Sequence, residues 1–235
     1  KKPFVTENTF VGTYYLYVEK HLKPFFGTKD LKNIKATDIL EYFSTKVNYS
    51  NSTLSKMVLC LNGIFDTAIE NDLCSKNPVA SILSPRSQQI PHPKRVYTDS
   101  QISFVQKLVL SEMPGIVFCL ETGLRPGEYV GCQWKDIYDD LLHVQRSIAT
   151  SKESGYIIRP PKWNSYRTIP LTPLARQSLS LMKNNDIYIY PMKSKKNTPY
   201  TPRAWCKILE RFFDKVLEPY PDIPRLTPHE LRHTF

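Results

Sequence analysis

The sequence lacks any apolar run near the roughly 20 residues of a membrane-spanning helix, and no signal peptide is recognisable. Its five cysteines are scattered and form no Cys-x-x-Cys pair. An odd, scattered set argues against a disulfide framework and against a cysteine zinc site. There is no internal repeat and no low-complexity tract. These absences predict an intracellular, reduced protein that does not enter a membrane.

Acidic residues are in the minority. The chain of 235 residues has 32 lysines and arginines but only 22 aspartates and glutamates, a formal net charge of +10. Such a balance favours a polyanionic partner, most often nucleic acid, with an anionic membrane surface as the alternative. The length and a hydrophobic content of 41% suit one large domain or two modest ones.

The first part of the chain has the apolar periodicity of helices at 6–22 and 53–70, and Thr37 is placed to cap a shorter helix between them. No strand and no chemical motif are recognisable, so residues 1–83 are predicted to form a helical bundle domain. Residues 84–94 are basic and proline-rich, which predicts an extended linker. Most basic side chains here are expected to be solvated; the candidates for contacts with phosphates are Lys46, Lys56, Lys76, Arg86, Lys94 and Arg95.

Residues 95–235 are predicted to be α+β, mainly α with a small antiparallel β-sheet. A capping box of Thr98 and Gln101 starts one helix. Thr-Pro pairs at 172–173 and 201–202 start two more, because threonine caps a helix and proline suits its first position. The period changes to that of short strands at 143–148, 155–159 and 166–170.

The segment Thr-Gly-Leu-Arg-Pro-Gly-Glu, residues 122–128, predicts a clamp for a phosphate. Arg125 precedes a proline and should therefore lie just outside a helix that begins at Pro126. Glu128 falls in the first turn of that helix and can reach back to hold the guanidinium, which would pre-organise Arg125 for bidentate contacts. The alternative is a purely structural Arg–Glu pair.

Lys162 is predicted to lie at the tip of a hairpin formed by strands 155–159 and 166–170. Lysines at such tips are usually solvated. The alternative is a mobile hairpin that delivers the ammonium to a phosphodiester, where it would donate a proton to a leaving alkoxide.

Residues 226–235 predict a helix with chemistry at its start. Thr227 and Glu230 form a capping box around Pro228. His229 and Arg232 lie three residues apart, on one face of the helix, and could contact one small anion together. The same segment matches His-Glu-x-x-His, in which His229 and His233 would bind zinc and Glu230 would activate water. A surface helix of mixed charge is the third possibility.

Three segments stand in one order: residues 122–128, the run Pro-Lys-Trp-Asn-Ser-Tyr-Arg-Thr-Ile-Pro-Leu at 161–171, and residues 226–235. Together they resemble the tyrosine recombinases, the family of phage and transposon integrases. The resemblance implies a helical core-binding, DNA-binding domain at 1–83, the linker, and a catalytic domain at 95–235. It also implies double-stranded DNA as partner and no metal or other cofactor.

The resemblance assigns roles residue by residue. Arg125 and Arg232 match the two catalytic arginines, which stabilise charge in the transition state. Lys162 matches the lysine that protonates the 5′-oxygen, and His229 the histidine that assists proton transfer. Glu128 and His233 are expected to support them. Zinc is disfavoured, since a zinc-peptidase helix continues to a third ligand that this sequence does not supply.

One departure from the family pattern concerns the nucleophile. The family's attacking tyrosine, which forms a 3′-phosphotyrosine, lies C-terminal to the His-x-x-Arg helix, whereas all 14 tyrosines here precede it. We therefore expect a catalytic domain without its C-terminal end, which binds DNA without cleaving it and is monomeric alone. The complete recombinase would act as a tetramer on paired sites, in the cytoplasm of a bacterium or of a mobile element's host. A non-catalytic DNA-binding module is the alternative.

Overall fold

The computed structural model describes residues 5–82, 85–90, 93–151 and 153–235, at residue 8 by its backbone alone. The chain divides into two compact units, Lys1–His92 and Pro93–Phe235. Parts of the predicted linker, residues 84, 91 and 92, lie outside the described residues, as do residues 1–4 and 83 of the predicted first domain. The assignment of residues 1–83 to DNA binding stays a prediction.

The first unit is helical over its described residues. Its helices are α1 (Glu7–Thr9), α2 (Lys23–Phe26), α3 (Ala36–Ser44) and α4 (Asn51–Glu70), with a 3₁₀ turn at Leu31–Asn33. The core lies between the helices and contains, among others, Ile39, Tyr42, Leu54, Met57 and Phe65.

Two predictions for this unit need correction. The predicted helix at 6–22 is wound as π-helix at Phe10–Tyr15 and Val18–Leu22, and a π turn rotates the buried face relative to α-helical spacing. Thr37 does not cap α3. The helix begins at Ala36, and the Asp38 carboxylate accepts a hydrogen bond of 2.8 Å from the Lys35 backbone N–H. That carboxylate satisfies a backbone donor at the helix start, so Thr37 lies inside the first turn.

The second unit contains α5 (Asp99–Val109), α6 (Pro114–Thr122), α7 (Pro126–Gly131), α8 (Pro173–Leu181), α9 (Pro202–Val216) and α10 (Pro228–Thr234). Four of these helices start at the predicted threonine caps, whose hydroxyls accept backbone N–H groups: Thr98, Thr172, Thr201 and Thr227. Helix α6 is buried almost all round and packs against α5, α8 and α10. Helix α6 therefore lies at the centre of this unit, and the three helices that pack against it are held in place by its side chains.

The described residues of the unit also form five short strands: β1 (Ile137–Tyr138), β2 (Leu141–Val144), β3 (Ser147–Ser151), β4 (Gly155–Arg159) and β5 (Arg167–Pro170). They form an antiparallel sheet in the order β1-β2-β5 and a separate β3-β4 hairpin. The predicted class, mainly helical with small antiparallel sheets, is confirmed. No helix among the described residues is both long and apolar enough to cross a bilayer.

The predicted strand arrangement is wrong in two respects. The strand expected at 143–148 is divided between β2 and β3, and Arg146, which lies between them, forms an ion pair with the buried Asp136. The chain leaves one sheet for the other at this point. Strand β4 pairs with β3 and β5 pairs with β2, so Lys162 is not at the tip of a hairpin. It lies in a turn, Lys162–Asn164, that connects the two sheets.

Candidate phosphate-binding site

The turn between α6 and α7 is shaped by Gly123 and Pro126. Gly123 ends α6 in the left-handed region, with φ of +57°, which glycine adopts without steric penalty. Arg125 then has an extended backbone, with φ of −67° and ψ of 152°, directly before Pro126. Leu124 is buried between them. The segment therefore presents Arg125 at the start of α7, as the Arg-Pro pair predicts.

The predicted ion pair of Arg125 and Glu128 is present. The Glu128 side chain is fully buried, and its Oε1 accepts a hydrogen bond of 2.7 Å from Arg125 Nη1. Its Oε2 accepts another, of 2.9 Å, from the Arg125 backbone N–H. One carboxylate thus holds both the backbone and the guanidinium of Arg125, which restricts the side chain before any ligand arrives.

A second arginine, which the sequence reasoning missed, shares this carboxylate. Arg167 on β5 donates to Glu128 through Nη1 at 3.2 Å and Nη2 at 2.8 Å. Burial raises the pKa of Glu128, but the hydrogen bonds from Arg167 and Arg125 outweigh it and lower the pKa overall. The alternation of side chains along a strand could have indicated this position. Arg167 lies two residues from the buried Ile169 and therefore on the same, inward face of β5.

Arg232 joins this group from the other end of the unit. Its Nη1 donates to the carbonyl oxygen of Gly123. Partial burial lowers its pKa, and the positive charges of Arg125 and Arg167 lower it further. Three guanidinium groups therefore lie within electrostatic reach of one another around a single carboxylate. The surplus positive charge suits an anion.

His229 lies on the same side of α10. Partial burial lowers its pKa, as do the nearby charges of His233, Arg232, Arg125 and Lys94. The rings of His229 and His233 meet edge to face, with centroids 4.8 Å apart. Both rings are exposed, so His233 is not part of the core. His229 therefore lies within electrostatic reach of the two predicted arginines.

Lys162 is connected to this cluster through its loop. Its ammonium is exposed and lies 5.5 Å from the centre of the Trp163 ring. Three residues further along, Ser165 Oγ accepts a hydrogen bond of 3.2 Å from Arg125 Nη1. The loop is therefore anchored at the arginines, while the ammonium itself points to the indole.

The other candidate cations have varied surroundings. Arg95 makes a bidentate contact with Glu230, at 2.9 and 3.0 Å, and Lys94 is exposed. In the first unit, Lys46 lies 5.4 Å from the ring centre of Tyr42, and Lys56 lies 5.7 Å from that of Tyr17. The remaining two candidates of that unit are also exposed: Lys76 and Arg86.

The zinc alternative is not favoured by this geometry. Glu230 is held by Arg95 and by the Thr227 backbone N–H, so its carboxylate is not free to activate water. Within the described ranges, no group of three or more His, Cys, Asp or Glu side chains is arranged to hold a metal ion. A cavity of about 440 Å³ lies away from the arginines, beside Trp134 and Leu179. The candidate site is an open cluster at the surface.

Comparisons with known proteins find transposases, integrases and a tyrosine recombinase, although no model of a protein family matches the chain. The transposase of transposon Tn916 from Enterococcus faecalis is 26% identical over 257 aligned residues, covering 100% of this chain and 63% of the relative. A XerC-like tyrosine recombinase from Caldanaerobacter subterraneus is 26% identical, covering 97% of this chain and 66% of the relative.

Among solved structures, the Tn1549 transposon integrase in complex with circular intermediate DNA superposes with a TM-score of 0.78. The two are 23% identical, and the match covers 100% of this chain and 81% of that one. The fold is therefore shared along the whole chain. The chain is thus similar in sequence to a tyrosine recombinase and in fold to a transposon integrase.

The chain spans 63% of the length of the Tn916 transposase. Each of the three segments that carry the family resemblance contributes side chains to the cluster or to its loop: Arg125 and Glu128, Lys162 and Arg167, His229 and Arg232.

Proposed function

We propose that this chain binds double-stranded DNA and holds one phosphodiester against Arg125, Arg232 and His229, as part of site-specific DNA integration or recombination. The observation that carries the proposal is the convergence of the arginines. Arg125 is held by Glu128, and Arg232 is held by the Gly123 carbonyl at the preceding turn. Both side chains are partly exposed and can reach an anion from solvent.

The chemistry follows from the charges. Attack on a phosphodiester places extra negative charge on the non-bridging oxygens, and fixed guanidinium groups stabilise it without reorganisation. Lys162 would protonate the leaving 5′-oxygen, and His229 would assist proton transfer. In this family a tyrosine hydroxyl attacks and forms a 3′-phosphotyrosine, which preserves the phosphodiester energy so that rejoining needs no ATP. None of the residues assigned here is that nucleophile.

The wider assignments follow the same reasoning. Basic side chains outside the cluster would contact the DNA backbone: Lys46, Lys56, Lys76, Arg86, Lys94 and Arg95. Lambda integrase has been solved as a tetramer on a Holliday junction, and we propose tetramers on paired sites for the complete recombinase here. The named relatives come from bacteria, and we propose the bacterial cytoplasm as the place of action.

DNA binding as a function of salt tests the phosphate site. Anisotropy of a labelled duplex would be measured over a range of NaCl concentrations for wild type, Arg125→Gln, Arg232→Gln and the double variant. Each single change should lower the affinity but reduce the salt slope by less than about 0.9, because the remaining arginine still neutralises the shared phosphate. The double variant should reduce the slope by about 0.9, the loss of one phosphate contact.

Arg211→Gln removes the same charge from an exposed position of α9 and is the matched control. Circular dichroism would confirm that each variant is folded. Affinities equal to that of the control would contradict the site. A slope that falls by about 0.9 in each single variant and by about 1.8 in the double variant would contradict a shared phosphate. In the full product of the gene, the same two changes should abolish a covalent protein–DNA adduct on denaturing gels.

A further inference from the structure

Trp163 is the most exposed of the three tryptophans. Its side chain is 85% exposed, whereas Trp205 is fully buried and Trp134 is partly buried. Tyr166 in the same loop is also more than half exposed. An aromatic ring has a flat apolar face on which a nucleic-acid base can stack, and such stacking tolerates any base sequence.

The backbone holds this ring outward in an unusual conformation. Trp163 has φ of +64° and ψ of 26°, and Asn164 has φ of +52°. Two consecutive residues with side chains in the left-handed region are uncommon, above all when one is bulky. Hydrogen bonds close the turn, from Asn164 N–H to the Pro161 carbonyl at 2.9 Å and from Tyr166 N–H to the Asn164 carbonyl at 2.8 Å. Strain of this kind persists at ligand sites more often than elsewhere.

The same turn leads directly into the arginine cluster. Ser165 contacts Arg125, and Arg167 contacts Glu128. Two residues of chain separate Trp163 from Ser165 and span at most about 7 Å. Phosphates along one strand follow each other at a rise of about 3.4 Å. A strand whose phosphate lies on the arginines therefore has neighbouring sugars and bases within reach of the indole.

We propose that Trp163 inserts into the bound duplex beside the phosphate held by Arg125 and Arg232 and stacks on a base that it partly unstacks from its neighbour. The inference rests on the proposed function. The ring contributes affinity without reading sequence, because every base presents a similar π face. Lys162, over the same ring, adds a cation that can reach the strand from the same turn.

Tryptophan emission tests this proposal in the whole chain. Trp134→Phe leaves Trp163 as the exposed emitter, because the remaining Trp205 is buried. Addition of duplex DNA should quench the emission and protect it from acrylamide. Trp163→Phe should abolish this response while still binding DNA by anisotropy. Trp163→Ala should weaken DNA binding by about tenfold, within the range of one lost stacking contact.

Tyr138→Ala is the matched control, since Tyr138 on β1 is an aromatic residue with 68% exposure in the same unit. Its DNA affinity should equal that of wild type. If wild type binds DNA, but neither the emission nor the acrylamide quenching of Trp163 changes and Trp163→Ala binds like Tyr138→Ala, the stacking inference is wrong and the proposed function stands. If wild type does not bind DNA, the proposed function fails, and this inference with it.

Discussion

Arg232 donates a hydrogen bond to the carbonyl oxygen of Gly123, a residue 109 positions earlier in the chain. The contact joins α10 to the turn that ends α6, where the left-handed conformation of Gly123 starts the approach to Arg125. One guanidinium N–H is used for this attachment. The orientation of Arg232 is thereby set relative to Arg125, and its other N–H groups stay available for an anion.

Gly127→Ala should destabilise the second unit by about 1–3 kcal/mol, because a Cβ there would lie 2.6 Å from the Ile148 carbonyl oxygen and 2.5 Å from Ser147 Oγ. Gly131→Ala is the control in the same helix. Its Cβ would meet atoms no closer than 3.4 Å, and alanine favours the helix. Urea unfolding measures both, and equal midpoints for the two variants would show that β3 can yield to the added methyl.

Glu128→Gln should destabilise the protein by about 3 kcal/mol at pH 7, because it leaves the guanidinium groups of Arg125 and Arg167 without their buried carboxylate. Adding Arg167→Gln should recover part of that loss, since the second change removes one of the uncompensated charges. A double-mutant cycle from urea unfolding measures the coupling. Additive effects would mean that the two side chains act independently.

The ion pair of Arg95 and Glu230 should make stability depend on acidic pH. Hydrogen bonds from Arg95 lower the pKa of Glu230 to about 2, from 4.5 in the unfolded chain. The ionised carboxylate therefore contributes stability above pH 4.5, and the contribution is lost as the pH falls toward 2. Glu230→Gln should lower the unfolding free energy by roughly 0.5–1 kcal/mol at pH 7, as expected for a partly exposed pair.

The measurement for Glu230 is thermal or urea unfolding of wild type and Glu230→Gln at several values of pH. Arg95→Gln, which removes the partner, should behave similarly. The difference between wild type and each variant should shrink between pH 4.5 and 2. A difference that stays constant over this range would contradict the assignment.

DNA binding should be coupled to proton uptake by His229. Partial burial and the charges of His233, Arg232 and Arg125 lower its pKa in the free protein. A bound phosphate would offset that positive charge and raise the pKa, so affinity should increase as the pH falls from about 7.5 to 6. Calorimetry in two buffers with different ionisation enthalpies measures the protons taken up.

His229→Gln should remove most of this uptake, and His233→Gln should retain most of it. His21 needs its own control. In the first unit its pKa is also lowered, by partial burial and then by Lys46 and Lys20, and His21→Gln separates any contribution from that unit. Uptake that is unchanged in His229→Gln would place the titrating group elsewhere.

Helix starts could be predicted from the sequence because their chemistry is local. A threonine cap and its acceptor or donor partner lie within three residues of each other, as at Thr98 and Thr227. The same holds for the Arg125–Glu128 pair. The three segments that resemble the tyrosine recombinases also identified Arg125, Lys162, His229 and Arg232 as candidate catalytic residues. Their catalytic roles stay predictions until the variants are measured.

The pairing of strands was not predictable in the same way. Strands β2 and β3 follow each other in the chain but belong to different sheets, because β2 pairs with the distant β5 and β3 pairs with β4. The part of Arg167 in the cluster depends on Glu128, 39 residues away. The sequence alone thus determined where helices begin and which side chains carry charge, because short-range geometry is sufficient for both. Only the tertiary structure decided which of those charged groups lie close together. The packing of α6, α7, α10 and β5 determines which guanidinium groups reach the buried carboxylate of Glu128.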